Sequence, residues 1–191
     1  MDQSHSKDMK TKNITTANGK QISVYEDVFS YQERSNHFKF VFESLFRVDG
    51  SDSNVGLLKD YQIYSNYSPQ DIDNMGFLQN QNIQQIWKNH NLNGRTLKKG
   101  RVNVSHLGEK NRIHTDGFGV TVLYYVNLEW NNDWSGHTMF LSDDLDECEY
   151  FSLYKPGKIV VFDGDIPHCI LSPTILSPVH RFSFALQYEN F

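Results

Sequence analysis

The stretch GVTVLYYVNL (119–128) decides how this chain is read. It is a short run of β-branched and aromatic residues that starts on a glycine and ends at the Asn-rich turn NND (131–133). That pattern predicts a buried strand. The same texture recurs through the second half of the chain. RVNVSHL (101–107), HTMFLS (137–142), YFSLYK (150–155), KIVVFDG (158–164), HCILS (168–172) and HRFSFALQY (180–188) are all short runs of this kind. Gly108, Gly117, Pro156–Gly157, Gly164, Pro173 and Pro178 punctuate them as turns. Several strands at this spacing predict a β-sandwich or barrel.

Upstream, the signal turns helical. Residues 1–18 are polar and are expected to form a flexible N-terminal segment. QISVYEDVF (21–29) alternates as a strand does. Ser30 and Glu33 then form a capping-box pattern ahead of Phe38, Val41, Phe42, Leu45 and Phe46, which fall on one helical face and are expected in the core. DGSDSN (49–54) reads as a loop, and LLKDYQIYSNY (57–67) as a return to strand. Ser68, Pro69 and Asp71 open a second helix, and NIQQIWKNH (82–90) forms a third. The expected organisation is a single domain over 19–191, with helical support at 30–95 and a β core at 97–191.

Composition bounds the function. The chain has 191 residues, 14% of them aromatic, which is enough for one well-filled core. A net charge of −5 gives no electrostatic reason to expect nucleic acid or an anionic membrane as partner. LKKGR (97–101) is the one short basic run, and it reads as a solvated turn. The start of the chain has no apolar signal region, and no run reaches the length of a membrane span. Two cysteines, Cys148 and Cys169, have no metal-site or disulfide spacing, so a reducing cytoplasmic location is expected.

The chemistry-bearing residues lie around the opening stretch. His114 and Asp116 sit in the loop before it, and alone they are an ordinary loop pair. His168 follows KIVVFDGDIP, and Arg181 begins RFSFALQY. A rolled sheet brings such distant residues together. Two imidazoles and one carboxylate on one face of a ferrous ion leave three positions for other ligands. A 2-oxo acid held there needs a fixed cation for its distal carboxylate, and a guanidinium fork matches that group best. Ser183 shares the strand face of Arg181.

HTDGFGVTVLYYVNLEWNNDWSGHTMF, YKPGKIVVFDGDIPHCI and RFSFALQY together resemble the iron(II)/2-oxoglutarate-dependent oxygenases of the prolyl 4-hydroxylase-like superfamily, over residues 99–189. The resemblance implies a mainly β double-stranded β-helix, or jelly roll, flanked by N-terminal α-helices. It implies His114, Asp116 and His168 as iron ligands. Arg181, helped by Ser183, would bind the 2-oxoglutarate C5 carboxylate, and Tyr125 matches a position that also reaches it. Thr138 is either a further inward contact to the cosubstrate or a structural threonine. O2 is the oxidant in such enzymes, and ascorbate can serve as reductant.

Relatives often carry Gly-Gly-Glu-Thr where this chain has Ser135-Gly136-His137-Thr138, and His137 is expected to face outward rather than bind metal. Related halogenases lack the carboxylate ligand, so Asp116 points to hydroxylation. Peptidyl proline is one substrate candidate; a free amino acid, a sugar or another small metabolite is the alternative. A non-catalytic cupin-like binding module and a metal hydrolase are the competing classes. Arg101, Asn103 and Arg112 approach the metal region in sequence and are either substrate contacts or, as lone polar residues on a strand usually are, surface residues; the sequence gives no oligomeric state.

Overall fold

The computed structural model describes residues 8–50, 61–109, 111–117 and 119–189. Eight strands, all paired antiparallel, form one large sheet in the order β1-β2-β9-β6-β11-β5-β4-β3. These are β1 Lys10–Thr15, β2 Gln21–Glu26, β3 Arg47–Gly50, β4 Tyr61–Tyr67, β5 Leu97–Ser105, β6 Val120–Tyr125, β9 Ile159–Asp163 and β11 Arg181–Tyr188. A second sheet of three strands, β10-β7-β8, lies across part of it, with β7 Thr138–Leu141, β8 Cys148–Ser152 and β10 His168–Ile170. Two antiparallel sheets connected in this order make a jelly roll, as expected.

The period of two sorts each strand of the large sheet into two faces. Val102, Val122, Tyr124, Val161, Phe184 and Leu186 point to the outer face, where they pack under the helices. Those helices are α1 Tyr31–Phe42, α2 Pro69–Asn74 and α3 Gln81–Asn89. They contribute Val41, Ile72, Ile83, Ile86 and Trp87 to that core. Each such side chain, fully buried, contributes about 1.5–3 kcal/mol. Leu123, Tyr125, Val160 and Phe162 face the other way and form a second core against Phe140 of the small sheet. Both capping boxes form as read, Ser30 with Glu33 on α1 and Ser68 with Asp71 on α2.

Four local expectations are corrected. The described part of the polar N-terminal segment is not flexible chain but contains β1, whose residues pair in register with β2. Polar side chains suit it because an edge strand exposes most of them. The apolar face of α1 is only partly core. Val41 is buried, and Phe38 and Phe46 pack on Phe182, but Phe42 is 65% exposed and Leu45 91%. The helix stops at its Glu43 cap, so Leu45 leaves the helical register. His37 takes the vacated place, against Phe29, Phe77 and Tyr124.

LKKGR is not a turn but the first half of β5. A Cβ at Gly100 would lie 2.9 Å from the Tyr67 carbonyl oxygen, so the close approach of β4 and β5 requires glycine there. The helical support over 30–95 also carries β3, which was not expected, while the strand read in LLKDYQIYSNY forms as β4 over Tyr61–Tyr67; together they widen the large sheet. Of the loop expected over 49–54, Asp49 and Gly50 end β3, and the rest lies outside the described residues.

Candidate metal centre

His114 and His168 meet through the backbone. Each donates its N–H to the other's carbonyl, at 3.0 and 2.9 Å, an isolated bridge that ties the loop after β5 to β10. Asp116 is fixed the same way, its N–H donating to the Gly164 carbonyl at 2.7 Å, while Gly164 N–H donates to Gly119 at 2.9 Å. The chains cross so closely that a Cβ on Gly164 would sit 2.6 Å from the Gly117 oxygen. Gly117, Gly119 and Gly164 therefore position the carboxylate.

Within this frame the three ligand atoms lie within 4.8 Å of one another. Nε2 of His114 is 3.8 Å from Asp116 Oδ1, and Nε2 of His168 is 3.7 Å from Oδ2. Nδ1 of His114 faces the Arg112 carbonyl at 3.0 Å, and Nδ1 of His168 faces that of Ile166 at 3.0 Å. A carbonyl only accepts, so both Nδ1 atoms carry the proton and both Nε2 lone pairs point at the centre. Thr121 Oγ1 donates to Asp116 Oδ2 at 2.7 Å. His168 is buried between Phe140 and Phe162. That burial lowers its pKa, with His114 adding to the effect and Asp116 opposing it, so the ring is neutral as a ligand must be. Two oriented imidazole nitrogens and one carboxylate fit a divalent iron with open positions.

Arg181 lies deeper, wholly buried at the start of β11. Its Nε donates to the Gly136 carbonyl at 2.6 Å, one terminal nitrogen to Ser183 Oγ at 2.9 Å and the other to Thr138 Oγ1 at 3.4 Å. Tyr154 and Tyr125 flank the guanidinium, at 4.8 and 5.4 Å from their ring centroids. The Tyr125 hydroxyl lies 3.0 Å from both Thr138 Oγ1 and Ser152 Oγ. Arg181, Ser183, Tyr125 and Thr138 thus form one cluster. Burial lowers the pKa of Arg181, with Tyr154, Tyr125 and the Glu109 carboxylate opposing. No carboxylate among the described residues is within ion-pair distance of it.

A cavity of about 330 Å³ opens beside the triad. Its wall is the inner face of β5, where Lys99, Arg101, Asn103 and Ser105 alternate with the buried Gly100, Val102 and Val104. Arg101 and Asn103, for which the sequence left substrate contact and surface both open, line this cavity. The expectation for His137 is corrected. It is buried, not outward, and its Nδ1 accepts from the Tyr154 N–H at 3.0 Å, which occupies it away from the triad.

Two residues to which the sequence assigned no role, Asn127 of the Tyr-x-Asn motif and Tyr154, hold Arg181 in place. Asn127 donates to the His180 carbonyl at 2.9 Å and accepts from the Phe182 N–H at 2.8 Å, bracketing Arg181 on both sides. The Tyr154 hydroxyl donates toward the Phe182 carbonyl and Asn127 Oδ1, at 2.6 and 2.7 Å. The Asn in Tyr125-Val126-Asn127, a polar residue closing an apolar strand, was the available signal.

No protein-family model matches this sequence, and no curated protein matches it significantly. Solved structures do match in shape. A prolyl-4-hydroxylase from Pseudomonas putida aligns over 88% of this chain and 92% of its own, with a TM-score of 0.65 and 16% identity. The fold is that of the prolyl 4-hydroxylases. A Trichoplax adhaerens prolyl hydroxylase, solved with a hypoxia inducible factor peptide fragment, covers 88% of this chain and 83% of its own at 15% identity and TM-score 0.64. The non-heme alpha ketoglutarate-dependent epimerase SnoN from nogalamycin biosynthesis covers 88% and 77% at 12% identity and TM-score 0.62. No helix among the described residues is long and apolar enough to cross a membrane.

Proposed function

We propose that this chain is a non-haem iron oxygenase that couples decarboxylation of 2-oxoglutarate to succinate with hydroxylation of a C–H bond. The observation that carries the reading is the pairing of two features. Nε2 of His114, Nε2 of His168 and the Asp116 carboxylate converge on one point. A wholly buried guanidinium lies deeper in the same barrel, with no paired carboxylate among the described residues. An isolated buried charge is costly unless a partner of opposite sign arrives. The distal carboxylate of 2-oxoglutarate is such a partner.

In this reading His114, Asp116 and His168 hold ferrous iron, which when bound supplies the redox chemistry joining 2-oxoglutarate decarboxylation to oxidation of the substrate by O2. Arg181 and Ser183 receive the C5 carboxylate, and the Tyr125 and Thr138 hydroxyls lie beside them as further donors. Burial raises the pKa of Tyr125, so its phenol stays protonated and able to donate. Thr121 holds the Asp116 carboxylate in register, and Phe140 and Phe162 keep water from the inner side of His168. Ascorbate would serve as external reductant, keeping the iron ferrous.

Likeness to a hydroxylase solved with a peptide supports a peptide as one substrate class, including peptidyl proline. The same fold in an epimerase means that the fold does not choose the reaction outcome. Calorimetry of 2-oxoglutarate against the iron-loaded protein under argon tests the reading. Binding that requires iron is expected. An iron-loaded protein with no affinity for 2-oxoglutarate would overturn it in favour of a hydrolase or a binding module.

A further inference from the structure

The small sheet covers only part of the large one. Its three strands pack over β2, β9 and β6, where the inner face is apolar, with Ile22, Val24, Val160, Phe162 and Leu123 in contact with Phe140 and its neighbours. Toward β5 and β4 the inner face changes to Lys99, Arg101, Asn103 and Gln62, all on the cavity wall beside His114 and Asp116. This polar stripe alternates with Val102 and Val104 and lines the cavity that opens beside the metal centre.

Two of these side chains are cations, and both are constrained. Lys99 is half-buried, so its charge has lost part of its hydration. Arg101 lies flat on Tyr64, with its guanidinium carbon 3.8 Å from the ring centroid, and its Nε donates to Asn66 Oδ1 at 3.1 Å. A stacked, hydrogen-bonded guanidinium is already oriented and loses little freedom when it receives an anion.

We propose that the substrate is a small molecule bearing an anionic group, a carboxylate or a phosphate, which Lys99 and Arg101 receive while the carbon to be oxidised faces the metal centre. The proposal rests on the oxygenase reading and deepens it. A cavity of about 330 Å³ is at the small end for ligand pockets, which favours a metabolite over a chain segment.

The test is a panel assayed with iron, 2-oxoglutarate, ascorbate and air, with mass spectrometry for the gain of one oxygen atom. The panel pairs free amino and hydroxy acids with their carboxamides, phosphate monoesters with their alcohols, and adds uncharged sugars and proline peptides with blocked ends. Product from an anionic member is expected, with its neutral counterpart poorer in kcat/KM by about tenfold or more, the loss of one charge-assisted hydrogen bond. The carboxylate and phosphate arms tell the two sources apart. For the accepted compound, Lys99→Met should raise the KM of that compound about tenfold and not that of 2-oxoglutarate. The proposal is overturned by equal oxidation of neutral members or by preference for the blocked peptides. It is also overturned by a Lys99→Met effect that falls on 2-oxoglutarate instead, or by succinate formation with no anionic member oxidised. Absence of succinate in every arm would sink the oxygenase reading itself.

Discussion

Arg181 shows how much a single side chain can demand of its surroundings. Its three donor contacts are to neutral oxygens, and Asn127 fixes the backbone on either side of it. Lysine keeps the charge but not the planar fork, so Arg181→Lys should raise the 2-oxoglutarate KM by about 10- to 100-fold with iron still bound, as steady-state kinetics and metal analysis would record. A wild-type KM would move the carboxylate site elsewhere. His137 is the opposite case, a histidine whose position near the triad in sequence means nothing for the metal. Its Nδ1 satisfies a buried Tyr154 N–H. His137→Ala should therefore bind iron with wild-type stoichiometry while losing about 1–3 kcal/mol in urea unfolding, from the orphaned donor. Reduced iron stoichiometry in a folded variant would make it a ligand after all. The joining of His114 and Asp116 to His168 was legible from the resemblance carried by their flanking strands, not from the His-x-Asp pair alone. The roles of Asn127 and Tyr154 were not, since their work is done on backbone atoms that only the folded chain brings near.

Among the elements, β5 was the hardest to read and matters most for the substrate. Two adjacent lysines and a glycine look like a turn in one dimension, but pairing with β4 and β11 imposes the strand, and alternate residues then point into the cavity. The turn into β7 carries a different mismatch between residue and backbone. Ser135 adopts φ 59°, ψ −132°, a conformation suited to glycine. Its own N–H and carbonyl make the contacts that matter, to Asn132 and Trp130. Ser135→Gly should thus keep the turn and stabilise the protein by about 1 kcal/mol, read from denaturant midpoints, as strain is relieved. Destabilisation would mean that the hydroxyl is needed. In α1, the aromatic stripe suggested by the sequence yields to His37, 2% exposed and 3.2 Å from the Tyr124 hydroxyl. Burial lowers its pKa to about 4, with Glu33 opposing. The unfolded chain takes up a proton below about pH 6.5 and the folded one does not, so stability is lost as pH falls from 6.5 to 4, by on the order of 3 kcal/mol. His37→Phe should flatten that limb in unfolding curves at pH 7, 5.5 and 4.5. An unchanged slope would place the titration in other groups.

At the scale of the whole molecule, the unequal sheets explain where chemistry can happen. Eight strands cannot be covered by three, and the helices close the outer face only, so the inner side of β5 and β4 stays open beside the metal ligands. The class of fold was readable from strand texture after residue 97, because period-two patterning survives in any register. The full width of the large sheet was not, since β1 is polar and β3 short, and both owe their structure to pairing with β2 and β4. The account as a whole requires the triad and Arg181 to work together in one reaction. Its most direct test is succinate formation from 2-oxoglutarate by the iron-loaded protein, in air and under argon, beside His168→Ala, which should bind iron at least about 100-fold more weakly. Succinate that needs both iron and O2 and disappears in the variant is the result predicted. Iron bound at the triad with no succinate formed in air would contradict it.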